Sequence, residues 1–343
     1  MPLVSVLLPI NNAANDLPRA INSLLNQTFQ DFEVIAIDDG STDGSAELLD
    51  QYASLDRHIR VFHQPNAGAL SKVLNRAAEL ALGQYLARQD ADDASTLTRL
   101  EEQIHYMDTH PKVGVCGTWN WHIDSQFGPL FSSELPDDHT LLLRFLKKGK
   151  NPFVHGSVMM RTNMFRERGG YRGSLVEDFD LWLRMSEITQ LGMHEKMSYY
   201  YWHSAGGISS GAHIRQQKLV KLALKLHEER ARFGCEVTNW ETEYQQISNM
   251  HFEESNPDER KTFMHYARSI HLMRIKRWEA ARAELTLASA GQGQYARKAR
   301  RNLSLFGFAP VVATVYHLIE TQEPQHYARN IPAGTPLPEF LQS

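Results

Sequence analysis

Apolar and polar positions along the first 120 residues alternate between two periods. Leu3 to Leu8, Phe32 to Ile37, Ile59 to His63 and Gln84 to Arg88 are short and largely apolar, the signature of buried strands. Between them, Asp16 to Asn26 carries Leu17, Ala20, Ile21, Leu24 and Leu25 at helical spacing, and Ser45 to Ala53 and Leu70 to Leu82 read as further helices. This βαβαβ rhythm predicts an α/β fold: a Rossmann-like, mostly parallel sheet with helices on both faces. Ligands of such sheets sit beyond the carboxyl ends of the strands. Two acidic turns fall there, Asp38 to Gly44 and Asp90 to Asp93.

From about residue 113 the rhythm changes. Val113 to Trp121, Val154 to Arg161 and Met193 to Trp202 read as strands, and Asp137 to Lys147 and Glu177 to Glu187 as helices. Gly206 to Gly211 forms a Gly/Ser-rich stretch, after which the pattern is helical. The expected division is a catalytic domain over 1–212, a helical region over 213–322 and a loosely ordered, proline-containing tail over 323–343.

Composition narrows the classes. The chain has 343 residues, with 42% apolar and 22% charged, which suits a soluble protein with a substantial core. A net charge of -4 gives no reason to invoke nucleic acid. Two distant cysteines, Cys116 and Cys235, make neither a disulfide framework nor a metal knuckle, so a reducing cytoplasm is the expected setting. No secretory signal precedes the first strand, and Leu305 to Ile319 is shorter than the ~20 residues of a spanning helix.

Three acidic segments carry candidate chemistry. In Asp90-Ala91-Asp92-Asp93, carboxylates at i and i+2 after a strand present hard oxygens to Mg²⁺ or Mn²⁺, which would bridge a diphosphate. The competing reading is a helix cap, but Thr98 and Glu101 already supply a capping box for the next helix. Asp39, at a strand end, suits the N–H of a uracil base, while Asp43 and Ser45 start a helix. In Glu177-Asp178-Phe179-Asp180, three acids exceed what helix-dipole complementarity requires, and a carboxylate there is a candidate general base for a sugar hydroxyl. Gly169-Gly170-Tyr171 upstream is a candidate acceptor loop. His155 and His203 each lie beside a strand, where a structural role competes with ligation; His203 is a further metal candidate.

Taken in order, these segments resemble glycosyltransferase family 2, the inverting nucleotide-sugar enzymes of the GT-A fold. The resemblance runs from about Val4 to Ser210. It rests on Val4 to Pro9, Ser23 to Thr28, Asp38 to Asp43, Asn66-x-Gly68, Asn75, Gly83-x-Tyr85, Asp90 to Asp93, Gly114-x-x-Gly117, His155 to Met159, Gly169-Gly170-Tyr171 and Glu177-Asp178-x-x-Leu181-Trp182-x-Arg184. It implies that Pro9, Asn11 and Asp39 line the base site, with Asn66, Gly68, Lys72 and Asp90 near ribose and diphosphate. It implies Asp92, with Asp90, as metal ligand, Asp178 as catalytic base and Glu177, Gly170 and Tyr171 on the acceptor side. Three positions depart from the family pattern: Asn11 replaces an aromatic, Leu97 a proline, and Tyr201 an arginine.

The implied reaction is metal-dependent, inverting transfer from a UDP-sugar to an acceptor hydroxyl in cell-surface polysaccharide or glycan synthesis. Two other readings compete: a non-catalytic sugar- or partner-binding protein on the same scaffold, and a nucleotidyltransferase. The latter would carry a Gly-rich basic loop where this chain has Pro9-Ile10-Asn11-Asn12.

In the C-terminal region, Ile214, Leu219, Leu222, Leu226 and Ala231 predict a long amphipathic helix, and Thr262 to Ala290 a helical hairpin turning near Lys276. Asp258 to Arg301 holds 11 Lys/Arg against four Asp/Glu, a local net of +7. Besides a solvated face, this suits peripheral contact with an anionic membrane, as an enzyme using a lipid-linked glycan would need. An unpaired helical face also leaves room for a homo-oligomer.

Overall fold

A computed structural model describes residues 1–124, 128–173, 175–203, 213–250, 257–274, 277–304, 306 and 328–330. Its first half follows the periodicity closely. Strands β1 (Val4–Ile10), β2 (Phe32–Asp39), β3 (Ile59–Gln64) and β4 (Tyr85–Arg88) are joined by helices α1 (Leu17–Leu25), α2 (Ser45–Leu55) and α3 (Leu70–Leu80). They pair in parallel in the order β3-β2-β1-β4. Every residue of β2 is buried, as a strand covered on both faces must be. Leu7, Ile35, Ile37 and Leu86 pack with α3 on one side, and Val6, Leu8, Val34 and Ala36 with α1 on the other.

Beyond β4 the sheet becomes mixed, and the expected parallel pairing is unbroken only across its first four strands. The chain continues through β5 (Ala94–Ser95), α4 (Arg99–Thr109), β6 (Val113–Asp124), β7 (Gly128–Ser133), α5 (His139–Lys147), β8 (Met159–Arg161), α6 (Thr162–Glu167), α7 (Glu177–Met185) and β9 (Gln190–His203). β8 lies antiparallel to both β4 and β6, while β9 runs parallel to β6 and antiparallel to β5. Hydrophobic period reveals that a segment is a strand, not its direction.

Two local expectations are corrected. Val154 to Arg161 is not one strand: His155–Ser157 is a 3-10 turn leading into β8. A Cβ on Gly156 would lie 2.0 Å from the Tyr199 hydroxyl and 2.7 Å from Asp90 Oδ2, so the chain turns here against the acidic turn. The Thr98–Glu101 capping box does not form, because Glu101 Oε2 accepts from Thr28 Oγ1 at 2.7 Å and Thr98 makes no side-chain cap.

Helices α8 (His213–Phe233) and α9 (Trp240–Asn249) follow, then α10 (Pro257–Arg274), α11 (Trp278–Ala290) and α12 (Gly293–Ser304). Leu219 and Ala223 of α8 enter the core beside Trp182 and Leu183 of α7, whereas Ile214 and Ala231 at its ends are exposed. α10, α11 and α12 share a small core of Leu272, Ala281, Leu285 and Ala299, so the expected hairpin gains a third helix. From the tail, β10 (Ala328–Asn330) pairs antiparallel with β7. The Gly206 to Gly211 stretch, Leu305 to Ile319 apart from Phe306, and the rest of the tail lie outside the described residues.

Candidate active site

The carboxyl ends of β2, β1 and β4 lie side by side, in registers that set Ile10 beside Asp38 and Leu7 beside Arg88. Neighbouring strands are about 4.8 Å apart, so Asp39 after two strands lies on the order of 10 Å along this edge from the turn after β4.

At the β2 end, Asp39 is buried and its Oδ1 accepts from Gln64 Nε2 at 2.6 Å and from the Ala67 N–H at 2.8 Å. Pro9 pairs in register with Ile37. Asn11 replaces the family's aromatic with a strut: its Nδ2 donates to the Asp39 carbonyl at 2.7 Å. Asn66 Oδ1 accepts from the N–H of Gly68, whose φ of 71° favours glycine. Lys72 is exposed, with Nζ 3.3 Å from the Ala67 carbonyl.

The turn after β4 is built around a cation that periodicity did not single out. Arg88 is completely buried and donates to Asp90 Oδ1 at 2.5 Å. Tyr199 of β9 accepts from the Asp90 N–H at 3.2 Å, and the Trp202 N–H donates to Asp93 Oδ1 at 2.8 Å. Burial, with the charge of Asp90, pushes Asp92 up to about 6 and Asp93 well above the carboxylate range.

The second acidic segment opens α7. Asp178 is half-buried: Oδ2 accepts from Asn151 Nδ2 at 2.6 Å and Oδ1 from the Phe179 N–H at 2.7 Å. Burial raises it to about 6 against these hydrogen bonds. Glu177, almost fully buried, is raised to about 7 by burial and then by Asp178, and its Oε2 has no partner. The charge of Asp90 contributes to the upward shift of Asp92, Asp93, Glu177 and Asp178 alike. Two stretches almost ninety residues apart therefore share one electrostatic neighbourhood.

Asp180, third of these acids, faces away into an ion network. It accepts from Arg172 and Arg184, both at 2.8 Å, and Arg172 continues to Glu236 at 2.7 Å. Arg184 also donates to the carbonyls of Arg168 and Gly170. Asn75 holds Tyr171 through both main-chain groups, at 2.8 and 2.9 Å, which fixes the Gly170-Tyr171 loop. The Tyr171 hydroxyl meets His155 Nε2 at 2.9 Å; burial and then Arg88 depress the imidazole, leaving it neutral to accept. His155 is thus an internal partner of the loop.

His203 closes β9 beside the turn, with Nε2 3.0 Å from His122 Nδ1. Among the described residues no three His, Cys, Asp or Glu side chains form a ready cation cage. Asp90 and Asp92 supply hard oxygens of the kind Mg²⁺ and Mn²⁺ take, in a coordination that substrate phosphates ordinarily complete. Buried like charges with one orphaned oxygen, Asp93 Oδ2, fit a site that gains from a cation. A cavity of about 560 Å³ lined by Leu3, Asp31, Gln84, Arg161 and Arg166 lies elsewhere, by the first residues of β1 and β4. Besides Arg88, sequence reasoning missed Tyr199 and Asn151. The available signal for Arg88 was a charged residue ending a buried strand, which requires an acidic partner.

The profile of Glycosyl transferase family 2 matches residues 5–169. EpsE of Bacillus subtilis (strain 168) is 37% identical over 191 residues, covering 54% of this chain and 67% of EpsE. The O-antigen biosynthesis glycosyltransferase WbnJ of Escherichia coli is 30% identical over 187 residues, 54% of this chain and 72% of WbnJ. Among solved structures, Staphylococcus aureus TarS in complex with UDP-GlcNAc superposes with a TM-score of 0.57 at 18% identity, over 95% of this chain and 93% of that one. The mannosyltransferase PcManGT of Pyrobaculum calidifontis, in complex with GDP-Man and Mn²⁺, gives 0.50 at 16% identity, over 92% and 87%. At such identities the two structures speak for the fold alone.

Proposed function

The chain belongs to glycosyltransferase family 2, and from that premise we propose that it transfers a sugar from a UDP-sugar to an acceptor hydroxyl, with inversion, using Mn²⁺ or Mg²⁺. The observation that carries this reading is the shared electrostatic neighbourhood of Asp90, Asp92, Glu177 and Asp178 at the carboxyl edge of the sheet. The reading is compatible with the shared fold, which in TarS takes UDP-GlcNAc and in PcManGT takes GDP-Man with Mn²⁺. The name of WbnJ supports an acceptor belonging to a cell-surface polysaccharide or a lipid-linked glycan.

Asp39, with one oxygen anchored by Gln64 and Ala67, turns the other toward the base. Asn66, Gly68 and Lys72 flank the ribose and diphosphate, and Asp90 and Asp92 hold the cation. Bound there, the cation would neutralise charge developing on the leaving diphosphate. Asp178 takes the proton of the acceptor hydroxyl as that oxygen attacks the anomeric carbon from the face opposite the diphosphate. Asn151 and the Phe179 N–H aim its carboxylate, and Gly170 and Tyr171, clamped by Arg184 and Asn75, shape the acceptor side.

We place the reaction in the cytoplasm. Among the described residues no helix is long and apolar enough to cross a membrane. The exposed Arg297, Lys298 and Arg301 of α12 offer a basic face by which a lipid-linked acceptor at an anionic membrane is approached.

The test is a screen of UDP- and GDP-sugars with Mn²⁺, Mg²⁺ or EDTA, read as nucleoside diphosphate release and product mass, with the anomer assigned by NMR. Metal-dependent release from a UDP-sugar with inversion is expected. A GDP-sugar as sole donor overturns the nucleotide assignment, full activity in EDTA the cation, and donor binding without turnover the enzymatic reading.

A further inference from the structure

Two arginines grip the Asp90–Asp93 turn, Arg88 from the end of β4 and Arg19 from α1. Arg19, on α1, donates a terminal nitrogen to the main-chain carbonyl of Asp92 at 2.5 Å and to Asp16 Oδ1 at 2.8 Å. Its guanidinium carbon lies 4.0 Å from the centre of the Trp202 ring. Trp202 is tied to the same turn, because its N–H donates to Asp93 Oδ1 at 2.8 Å. The next two residues, Ala94 and Ser95, pair with Tyr200 and Tyr199 of β9. Helix α1, the acidic turn and the end of β9 thus close a ring of contacts through one guanidinium.

We propose that Arg19 is a positioning residue: it fixes the Asp92 peptide so that the Asp92 carboxylate is presented to the divalent cation. The proposal rests on the cation reading above. No described side chain donates to the Asp92 carboxylate, so its aim follows from the main chain, whose carbonyl Arg19 holds. Holding that chain calls for arginine. One terminal nitrogen, Nη2, donates to both Asp16 and Asp92 while the guanidinium lies over the Trp202 ring. A lysine ammonium could donate to both oxygens, but it has no planar face to stack on the ring. The role is distinct from that of Arg88, which neutralises Asp90 directly and stands in the buried centre of the site.

The contribution resembles that of an outer partner of a metal ligand, whose removal typically weakens metal affinity 10- to 100-fold. The experiment measures Mn²⁺ binding by calorimetry, alone and with UDP, for wild type, R19A, R19K and W202L, with a melting curve for each. R19A should bind Mn²⁺ at least about 10-fold more weakly. R19K, which keeps the charge without the fork, should recover little of the loss, and W202L should fall between wild type and R19A. UDP binding without metal should change little. Should R19A fail to fold, R19K and W202L still carry the comparison. Wild-type affinity in folded R19A and R19K overturns the proposal. So does a loss that merely follows a lowered melting temperature and vanishes on cooling. If wild type binds neither Mn²⁺ nor Mg²⁺, the cation reading falls and takes this role with it; wild-type binding with unaltered variants removes Arg19 alone.

Discussion

Replacing Asp178 by asparagine should give a protein that is nearly inactive yet about as stable as wild type at pH 8. The carboxyl is raised from 3.8 to about 6, by burial first, against hydrogen bonds from Phe179 and Asn151. Unscreened, two units correspond to about 3 kcal/mol; for a half-buried group in contact with solvent, on the order of 1–2 kcal/mol is the better figure. The folded state holds this proton more tightly than the unfolded chain. The contribution of Asp178 to stability is therefore greatest below pH 3.8 and is lost as pH rises through about 6. Above that, the charged carboxylate burdens the fold, and the substitution removes the burden. It also turns an amide N–H₂ toward one of two donors, Asn151 Nδ2 or the Phe179 N–H, at a loss of about 1 kcal/mol for one hydrogen bond.

These effects nearly cancel at pH 8, so stability should stay within about 1 kcal/mol. Transfer, without its general base, should fall about 10²- to 10⁴-fold. Urea denaturation at pH 5 and pH 8, paired with nucleoside diphosphate release at saturating donor and acceptor, checks both arms. At pH 5 wild type should gain on the variant. Transfer within tenfold of wild type would remove Asp178 from its role. A loss of more than about 3 kcal/mol at pH 8 would show that inactivity comes from unfolding.

Further outcomes follow from the same geometry. R184M strips the buried Asp180 of one cation and leaves the carbonyls of Arg168 and Gly170 without their donor; a loss of about 3–5 kcal/mol in urea is expected, and under 1 kcal/mol would contradict the account. G170A places a Cβ 2.6 Å from Asn75 Oδ1 at a φ of 69°, and should lower stability by about 1–3 kcal/mol and raise the acceptor KM more than the donor KM, as initial rates will show. Glu177 is raised to about 7 by burial, so native stability should fall as pH rises between 4.5 and 7; E177Q should flatten that slope in denaturation at several pH values.

The sequence announced the elements well where one physical signal dominated. Apart from Glu33, β2 is apolar from Phe32 to Ile37, and the structure buries all of it, so its start and its exit into an acidic turn were both readable. The same signal could not say that β8 runs antiparallel to β4, because a buried strand looks alike in either direction. The Thr98–Glu101 pair obeyed a local rule and was overridden by Thr28, a residue seventy-three positions earlier. Asp90, Asp92, Glu177 and Asp178 were legible because acids in excess of capping needs stand out locally. Arg19, Arg88, Asn151 and Tyr199 were not, since each acts across the fold and leaves no pattern in its own neighbourhood.

That division has a physical cause. Carboxylates clustered beyond what caps need depart from the ordinary preference for solvated, dispersed acids, and such a departure is visible in sequence. The groups that make the departure tolerable are ordinary residues whose only peculiarity is where they end up. Arg88 is the clearest case: wholly buried, it is paired with Asp90, and its charge also lowers Asp92 and Glu177. One buried guanidinium stands among five carboxylates, Asp93 included, and burial first, then repulsion from neighbouring acids, raises Asp92, Asp93, Glu177 and Asp178. A site left with surplus negative charge favours whatever brings positive charge to it. The proposed divalent cation, carried in with a diphosphate, would do so at the edge where the donor nucleotide is expected.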